Sequence, residues 1–552
     1  MTKPRMQAAS APWVGVIRAR TLGNALALLT LCALAAWFLG LHTRPWFVPV
    51  AQPRAWALAA LATAAYAGFA IWTWRRPAPR NAAARTGAER DAVLVAYASQ
   101  TGFAVELAER TAASLRMAGR DARVCNIATL DAATLARAPA CLFVASTTGE
   151  GDAPDHALEF EATVMAAPLP APPTYAVLAL GDRTYAHYCA FGHRLDAWMR
   201  RSGARALFDL VEVDNGEASA LRHWQHHLAL FAGVPELSDW APAQLQDWTL
   251  IERRLLNAGS PGGGVFHLAL TPPAGHAADW NAGDIAEVGP RNSPATVAAV
   301  LDMLGLDGDA PVRDSQGEPA SLRAFLARSR LPEFTSSMPR DARALALLLE
   351  PLPTREYSIA SLPADGMLRL LLRRMLHPDG TPGLASAWLC DHVAPGGAVA
   401  LRIRRNPGFH LPADDRPMVM IGNGTGIAGL RALLAARIAA GHRSNWLFFG
   451  ERTRAHDFYF GEELEAWHAE DALERMDLAF SRDADATHHY VQDALRARRE
   501  DLRAWLDAGA AVYVCGSLQG MAPAVDAELA ALVGVEALRA MAADGRYRRD
   551  VY

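Results

Sequence analysis

The chain has 552 residues, 51% of them apolar and 20% charged, and carries a formal net charge of −4. That length allows several domains of about 100–200 residues each, and the near-neutral balance excludes the basic field of a nucleic-acid binder. The six cysteines are scattered without a CxxC pair, which gives neither a metal site nor a disulfide framework and fits a reducing compartment.

The first elements are two uncharged apolar runs, at 21–41 and 55–74. Each meets the requirement of about 20 residues for a membrane span, and the first exceeds the roughly 7–15 apolar residues of a signal peptide. Trp46, Phe47, Trp56, Trp72 and Trp74 sit near their ends, as interface aromatics do. Lys3, Arg5, Arg18 and Arg20 precede the pair, Arg75, Arg76, Arg80 and Arg85 follow it, and only Arg44 and Arg54 lie between. The expectation is a transmembrane hairpin over 1–76, making the chain multi-pass in the inner (cytoplasmic) membrane with everything later on the cytoplasmic face. Residues 77–90, rich in Ala, Arg and Pro, read as a linker.

A continuous apolar run at 92–98 then predicts a strand buried on both faces. The small polar turn Ser99-Gln100-Thr101-Gly102 and a helical pattern from Ala104 follow it. A strand, a turn and a helix start make an anion site, because free amides and the helix dipole point at it; an ordinary capped helix looks similar. A second buried strand at 141–145 leads into the glycine turn 147–152, and a third at 175–180 into a loop holding Tyr185 and Tyr188. Three such junctions at the carboxyl ends of parallel strands form one crevice. In this order and spacing the loops resemble the flavodoxin-like FMN domain of the diflavin reductases, over 91–232. The resemblance implies that Ser99, Gln100, Thr101, Gly102, Phe103 and Ala104 hold the FMN phosphate, that Thr147, Thr148, Gly149, Gly151 and Tyr185 flank the isoalloxazine, and that Asp214 belongs to the last FMN loop. Many relatives carry an aromatic where Thr148 stands.

The pattern Trp280-Asn281-Ala282-Gly283-Asp284 resembles the start of the FAD barrel of ferredoxin-NADP reductases, and the polar, helix-rich stretch 293–354 resembles a shortened form of the insert that diflavin reductases place there. In "TREYSIAS", Arg355 offers a bidentate cation for a pyrophosphate, Tyr357 a ring for a flavin, and Ser358 a hydroxyl near flavin N5. "GLAS" (383–386) matches the second FAD pyrophosphate loop of the family through Gly383, Ala385 and Ser386. These place an FAD-binding barrel at 233–415.

Residues 416–552 resemble the family's Rossmann-like NADPH domain. "IGNGTG" supplies the glycine turn, with Gly424 and Thr425, a weak signal alone. No acid stands about 20 residues on to read a ribose 2′-hydroxyl, which argues against NAD. Ser481, Arg482, Tyr490 and Gln492 match the branch that binds a 2′-phosphate and covers adenine, with His488 where the family often has lysine. Cys515 ends a buried strand at the family's nicotinamide position; the alternative reading is a small buried hydrophobe. The ending "RRDVY" implies that Asp550 joins Ser358 and Cys515 around the reaction path, that Tyr552 covers the flavin as a lid, and that the C-terminal ring itself ends the chain. That ending is most similar to the NADPH sulfite reductase flavoprotein subunits.

The expected fold is therefore multidomain α/β: the hairpin, a doubly wound flavodoxin-like domain, a β-barrel with a short helical insert and a Rossmann-like domain. The expected activity is that of an NADPH-dependent diflavin reductase passing electrons from NADPH through FAD and FMN to a haem protein such as sulfite reductase or a cytochrome. A ferric-chelate (siderophore) reductase is the alternative, and a non-catalytic flavin-binding membrane scaffold a third reading. No nucleic-acid partner is expected.

Overall fold

The computed structural model describes residues 92–552 apart from 242, 314–316, 318 and 332–337. The two apolar runs and the linker expected at 77–90 lie outside the described residues, and among these no helix is long and apolar enough to cross a membrane.

The run at 92–98 becomes β1 (Val93–Ala98), an interior strand next to the edge strand β2 in a five-stranded parallel sheet of order β2-β1-β3-β4-β5, with β2 Ala122–Asn126, β3 Ala140–Ser146, β4 Thr174–Gly181 and β5 Val211–Asp214. Leu94, Ala96 and Ala98 pack into one core with Phe143 and Trp198, while Val93 and Val95 pack into another with Leu107 and Trp224. Both faces are covered, so the strand is continuously apolar instead of alternating. The strands are parallel, so the loops after β1, β3 and β4 all emerge at one edge.

From residue 246 the pairing turns antiparallel, with β6 (Gln246–Leu255), β7 (Val265–Thr271) and β8 (Ile285–Val288). Between β8 and the next barrel strand lies the insert. Helices Pro294–Leu304, Leu322–Arg328 and Ala342–Leu348 surround a two-stranded sheet of β9 (Pro311–Arg313) and β10 (Pro319–Ser321). Val297, Leu301, Phe325 and Leu345 give it a core of its own. β11 (Arg355–Ser358), β12 (Leu368–Arg373) and β13 (Ala398–Arg404) complete a sheet of order β11-β8-β13-β6-β7-β12. An antiparallel bridge between Ile359 and Leu370 joins its two ends into a barrel.

His267 on β7 is 6% exposed, and burial pushes its imidazole down to about 4. The folded state therefore disfavours the proton that the unfolded chain takes up below about 6.5, so stability is lost as pH falls from about 6.5 towards 4. We expect this residue to contribute about 2 kcal/mol to the loss between pH 7 and pH 5. Urea midpoints for wild type and His267→Gln should therefore diverge in their pH dependence; parallel curves would show that the imidazole does not titrate as its burial requires.

The last third is a second parallel sheet, β16-β15-β14-β17-β18, with β14 Met418–Asn423, β15 Asn445–Glu451, β16 Arg475–Phe480, β17 Ala511–Gly516 and β18 Tyr547–Val551. The strand order reverses between β14 and β17, which opens a crevice at their carboxyl ends. There a Cβ on Gly426 would lie 2.2 Å from the Cys515 carbonyl oxygen, so only glycine lets the turn after β14 approach β17.

Candidate functional site

The turn after β1 is shaped by Gly102. Its φ of 86° is left-handed, and a Cβ there would lie 2.2 Å from the Arg405 carbonyl oxygen. The buried Ser99 hydroxyl accepts from the Gly102 amide at 3.0 Å. Helix Phe103–Met117 then starts without a side-chain cap, which leaves first-turn amides free for an anion; Ala104 is fully buried within it. Gln100, Thr101, Phe103, Thr147, Thr148, Gly149 and Tyr185 line one cavity of about 310 Å³. Gly151 does not line it; its carbonyl accepts from Arg194 at 2.7 Å and shapes the same turn. Asp214 stands beside it and accepts the Arg183 amide at 3.1 Å. The hydroxyls of Thr148 and Tyr188, both lining residues, are buried without a hydrogen-bond partner.

The far wall of this cavity comes from the barrel and the C-terminus: Glu287, Thr354, Glu356, Arg404, Val551 and Tyr552. On β11, Arg355 is exposed and donates to the Thr354 carbonyl at 3.0 Å. Tyr357 is half-buried against the barrel core, near Cys390, and burial raises its phenol. Gly383 opens helix Leu384–Ala387, again without a side-chain cap. The Ser386 hydroxyl accepts the Met375 amide at 3.0 Å and donates to the Gly383 carbonyl at 3.0 Å; Ala385 is buried beside it.

Ser358, Cys515 and Asp550 come together although they lie far apart in sequence. The Ser358 hydroxyl donates to Asp550 Oδ2 at 2.7 Å, and the Cys515 thiol lies 3.8 Å from the same oxygen. Register explains the second contact, since Cys515 and Asp550 are direct partners across β17 and β18. Burial raises the Asp550 carboxyl, opposed by the Ser358 hydrogen bond. Burial, and then the Asp550 charge, hold the Cys515 thiol well above its ordinary range, so it stays protonated.

A second cavity, of about 610 Å³, opens at the crevice of the last sheet. Gly424, Thr425, Ser481, Arg482, Tyr490, Gln492 and Tyr552 all line it. Arg482 is exposed, and its amide donates to the Arg452 carbonyl at 2.8 Å. Tyr490 is 55% exposed. The cavity thus offers a hydroxyl, a free guanidinium and an open aromatic face. Tyr552 lines both cavities; the residue is 57% exposed and its hydroxyl lies 3.2 Å from Thr425 Oγ1.

Sequence reasoning missed the residues that join the two halves. Arg404 donates to the Thr101 carbonyl at 3.2 Å and pairs with Glu356 at 2.6 Å. Arg402 pairs with Glu106 at 3.0 Å and with Glu287 at 2.7 Å. Arg373, paired with Glu451, lines the second cavity. The run Arg402, Arg404 and Arg405 on and after β13 was the available signal, a clustering of cations where a strand leaves a barrel.

These features fit flavins and a dinucleotide: uncapped helix starts for phosphates, unpaired hydroxyls for a polar ring edge, and a cation beside an open aromatic. The comparisons agree. Residues 95–224 match the flavodoxin family model, and residues 420–527 match that of the oxidoreductase NAD-binding domain. The sulfite reductase (NADPH) flavoprotein alpha-component of Cronobacter sakazakii is 30% identical, over 82% of this chain and 89% of its own length. That of Neisseria meningitidis serogroup A is also 30% identical, over 93% of this chain and 99% of its own length. That of Klebsiella pneumoniae is 30% identical over 85% and 91%.

These relatives overturn the expected placement in the inner membrane. The Neisseria match covers more of the chain than residues 92–552 amount to, so it reaches into the segment where the hairpin was expected. The multi-pass assignment is therefore withdrawn. The enzyme is an NADPH-dependent flavoprotein oxidoreductase that uses FMN, FAD and NADPH. The chain belongs to the family of the sulfite reductase (NADPH) flavoprotein alpha-components.

Proposed function

We propose that this chain draws electrons from NADPH and delivers them, from the flavodoxin-like half, to the haem-containing partner of a sulfite reductase. The observation that carries this reading is Tyr552, whose ring lies between the two cavities and lines both. In this reading residues 91–232 hold FMN, 233–415 hold FAD around the insert 293–354, and 416–552 hold NADPH. When bound, the flavins supply the step from two-electron to one-electron transfer.

The protein's own residues bind and orient. Ser481 and Arg482 grip the 2′-phosphate and Tyr490 covers the adenine. Thr425 steadies the Tyr552 ring through its hydroxyl. The Ser358 hydroxyl, held by Asp550, is fixed towards the flavin edge, and the protonated Cys515 fills the space behind it. The Ser99 and Thr101 hydroxyls and the amides of Phe103 and Ala104 take the FMN phosphate, while the Gly102 amide holds the turn by donating to Ser99. Arg355 and the uncapped start after Gly383 take the FAD pyrophosphate.

The test is to purify the chain, quantify its flavins and add NADPH with a sulfite reductase haemoprotein. One FMN and one FAD per chain, with haem reduction that requires FMN, is the expected result. A single flavin type, or reduction of ferric chelates in preference to haem, would overturn it. Removing the lid gives a separate check. Stacking of this kind contributes about 0.5–1.5 kcal/mol beyond area burial. Tyr552→Ala should therefore raise kcat/KM for NADH by about three- to tenfold. An unchanged NADPH/NADH ratio would show that the ring does not gate the site.

A further inference from the structure

β18 has two working faces, because successive strand residues point to opposite sides. Arg548 and Asp550 share one face. Arg548 donates to the Pro407 carbonyl at 2.8 Å and the His410 carbonyl at 3.0 Å, and Asp550 receives Ser358. Tyr547 and Arg549 share the other face and both meet Asp526 of helix Met521–Val533.

Arg549 also crosses to the flavodoxin half. Its Nε donates to Asp155 Oδ1 at 2.9 Å, with Asp155 buried and the arginine nearly so. Gln100, from the turn after β1, completes the contact. Its Nε2 donates to Asp155 Oδ2 at 3.0 Å and to the Arg549 carbonyl at 2.5 Å, while its Oε1 accepts the Asp155 amide at 3.1 Å. The Gln100 side chain is thus used up on this contact and leaves only its backbone for a phosphate.

The seam beside this contact carries a cost. Asn406 is fully buried with both side-chain amide atoms unpartnered. A Cβ on the neighbouring Gly408 would lie 3.4 Å from Asn406 Oδ1 and 3.3 Å from the Gln100 carbonyl oxygen, so this amide is shut between the two halves. A buried unpaired amide disfavours the closed seam, and the charged contact next to it offsets that.

We propose that Asp155 is a positioning residue for the nucleotide site. By holding Arg549 it sets β18, and through β18 it sets Asp550 and Tyr552 on the opposite face and at the end of the strand. The docked flavodoxin half thereby completes the site at which NADPH reacts. This rests on the reading of the two cavities as FMN and NADPH sites.

The experiment is rapid mixing of the full-length, flavin-loaded enzyme with NADPH, reading the first phase of flavin bleaching. In that phase only the FAD-side site takes electrons from the nucleotide. Asp155→Asn should slow bleaching at saturating NADPH by about three- to tenfold. The half-saturating NADPH concentration should stay unchanged, because Ser481 and Arg482 are untouched. Arg549→Gln should do the same, and the double variant should be no slower than either single, as expected for groups acting as one unit. Asp155→Glu should recover most of the rate. A wild-type first phase in Asp155→Asn overturns the proposal, even if FMN is lost or haem reduction falls, since those effects need only a local role in the FMN loop. Additive losses in the double variant also overturn it. Failure of the reading beneath it is distinguishable: NADPH would then fail to bleach the wild-type protein.

Discussion

Replacing Arg482 by alanine is expected to lower kcat/KM for NADPH by about ten- to a hundredfold while leaving NADH almost unaffected. Arg482 is exposed in the second cavity, with Ser481 before it and Tyr490 in the same wall. Only NADPH brings a 2′-phosphate there, and a hydrogen bond to a charged group contributes about 1.5–3 kcal/mol. Because both nucleotides share every other contact, the ratio of their kcat/KM values isolates this one. Equal losses for the two would show that Arg482 supports the loop and does not read the phosphate. Arg373 and Arg452 line the same cavity, but each pairs with Glu451, which leaves less of their charge for a ligand.

The second large effect is expected at Gly102. Gly102→Ala forces an L side chain into a left-handed turn, which costs about 1–2 kcal/mol. It also drives a Cβ against the Arg405 carbonyl oxygen. Either the turn after β1 or the chain after β13 must move, and both moves spoil the phosphate cradle. FMN content should fall at least tenfold, while FAD stays bound and NADPH still reduces ferricyanide through it. Gly119 supplies the control. It stands past the other end of the same helix, at φ 81°, with nothing near an added Cβ. Gly119→Ala should lose a similar amount of stability and keep FMN. If both variants keep FMN, the close approach at Gly102 is not what holds the cradle.

The parts of the site visible in the sequence are those written locally. A buried parallel strand is a continuous apolar run, and its loop is a cluster of small residues, so the turns after β1, β3, β14 and β17 could be placed from pattern alone. Ser358, Cys515 and Asp550 needed the family resemblance, because their meeting depends on a barrel strand lying against the end of a different sheet. The clasp of Gln100, Asp155 and Arg549 had no signal at all. Its members lie up to 449 residues apart, and nothing local to Asp155 or Arg549 marks either as part of a shared contact. Gln100 was expected among the phosphate contacts; the structure spends its side chain on the seam. The apolar runs near the N-terminus are plain in the sequence but lie outside the described residues, and the membrane placement built on them did not survive the relatives.

The insert leaves the barrel at β8 and returns at β11, and these strands are direct antiparallel neighbours, with Val288 opposite Arg355. The two ends of the excursion therefore lie side by side, as the two legs of a hairpin do. A short turn could bridge them without disturbing any other strand, and the excursion already carries its own core. The cassette can therefore be lengthened, shortened or exchanged at small cost to the barrel, because both of its attachment points are fixed by one pair of neighbouring strands.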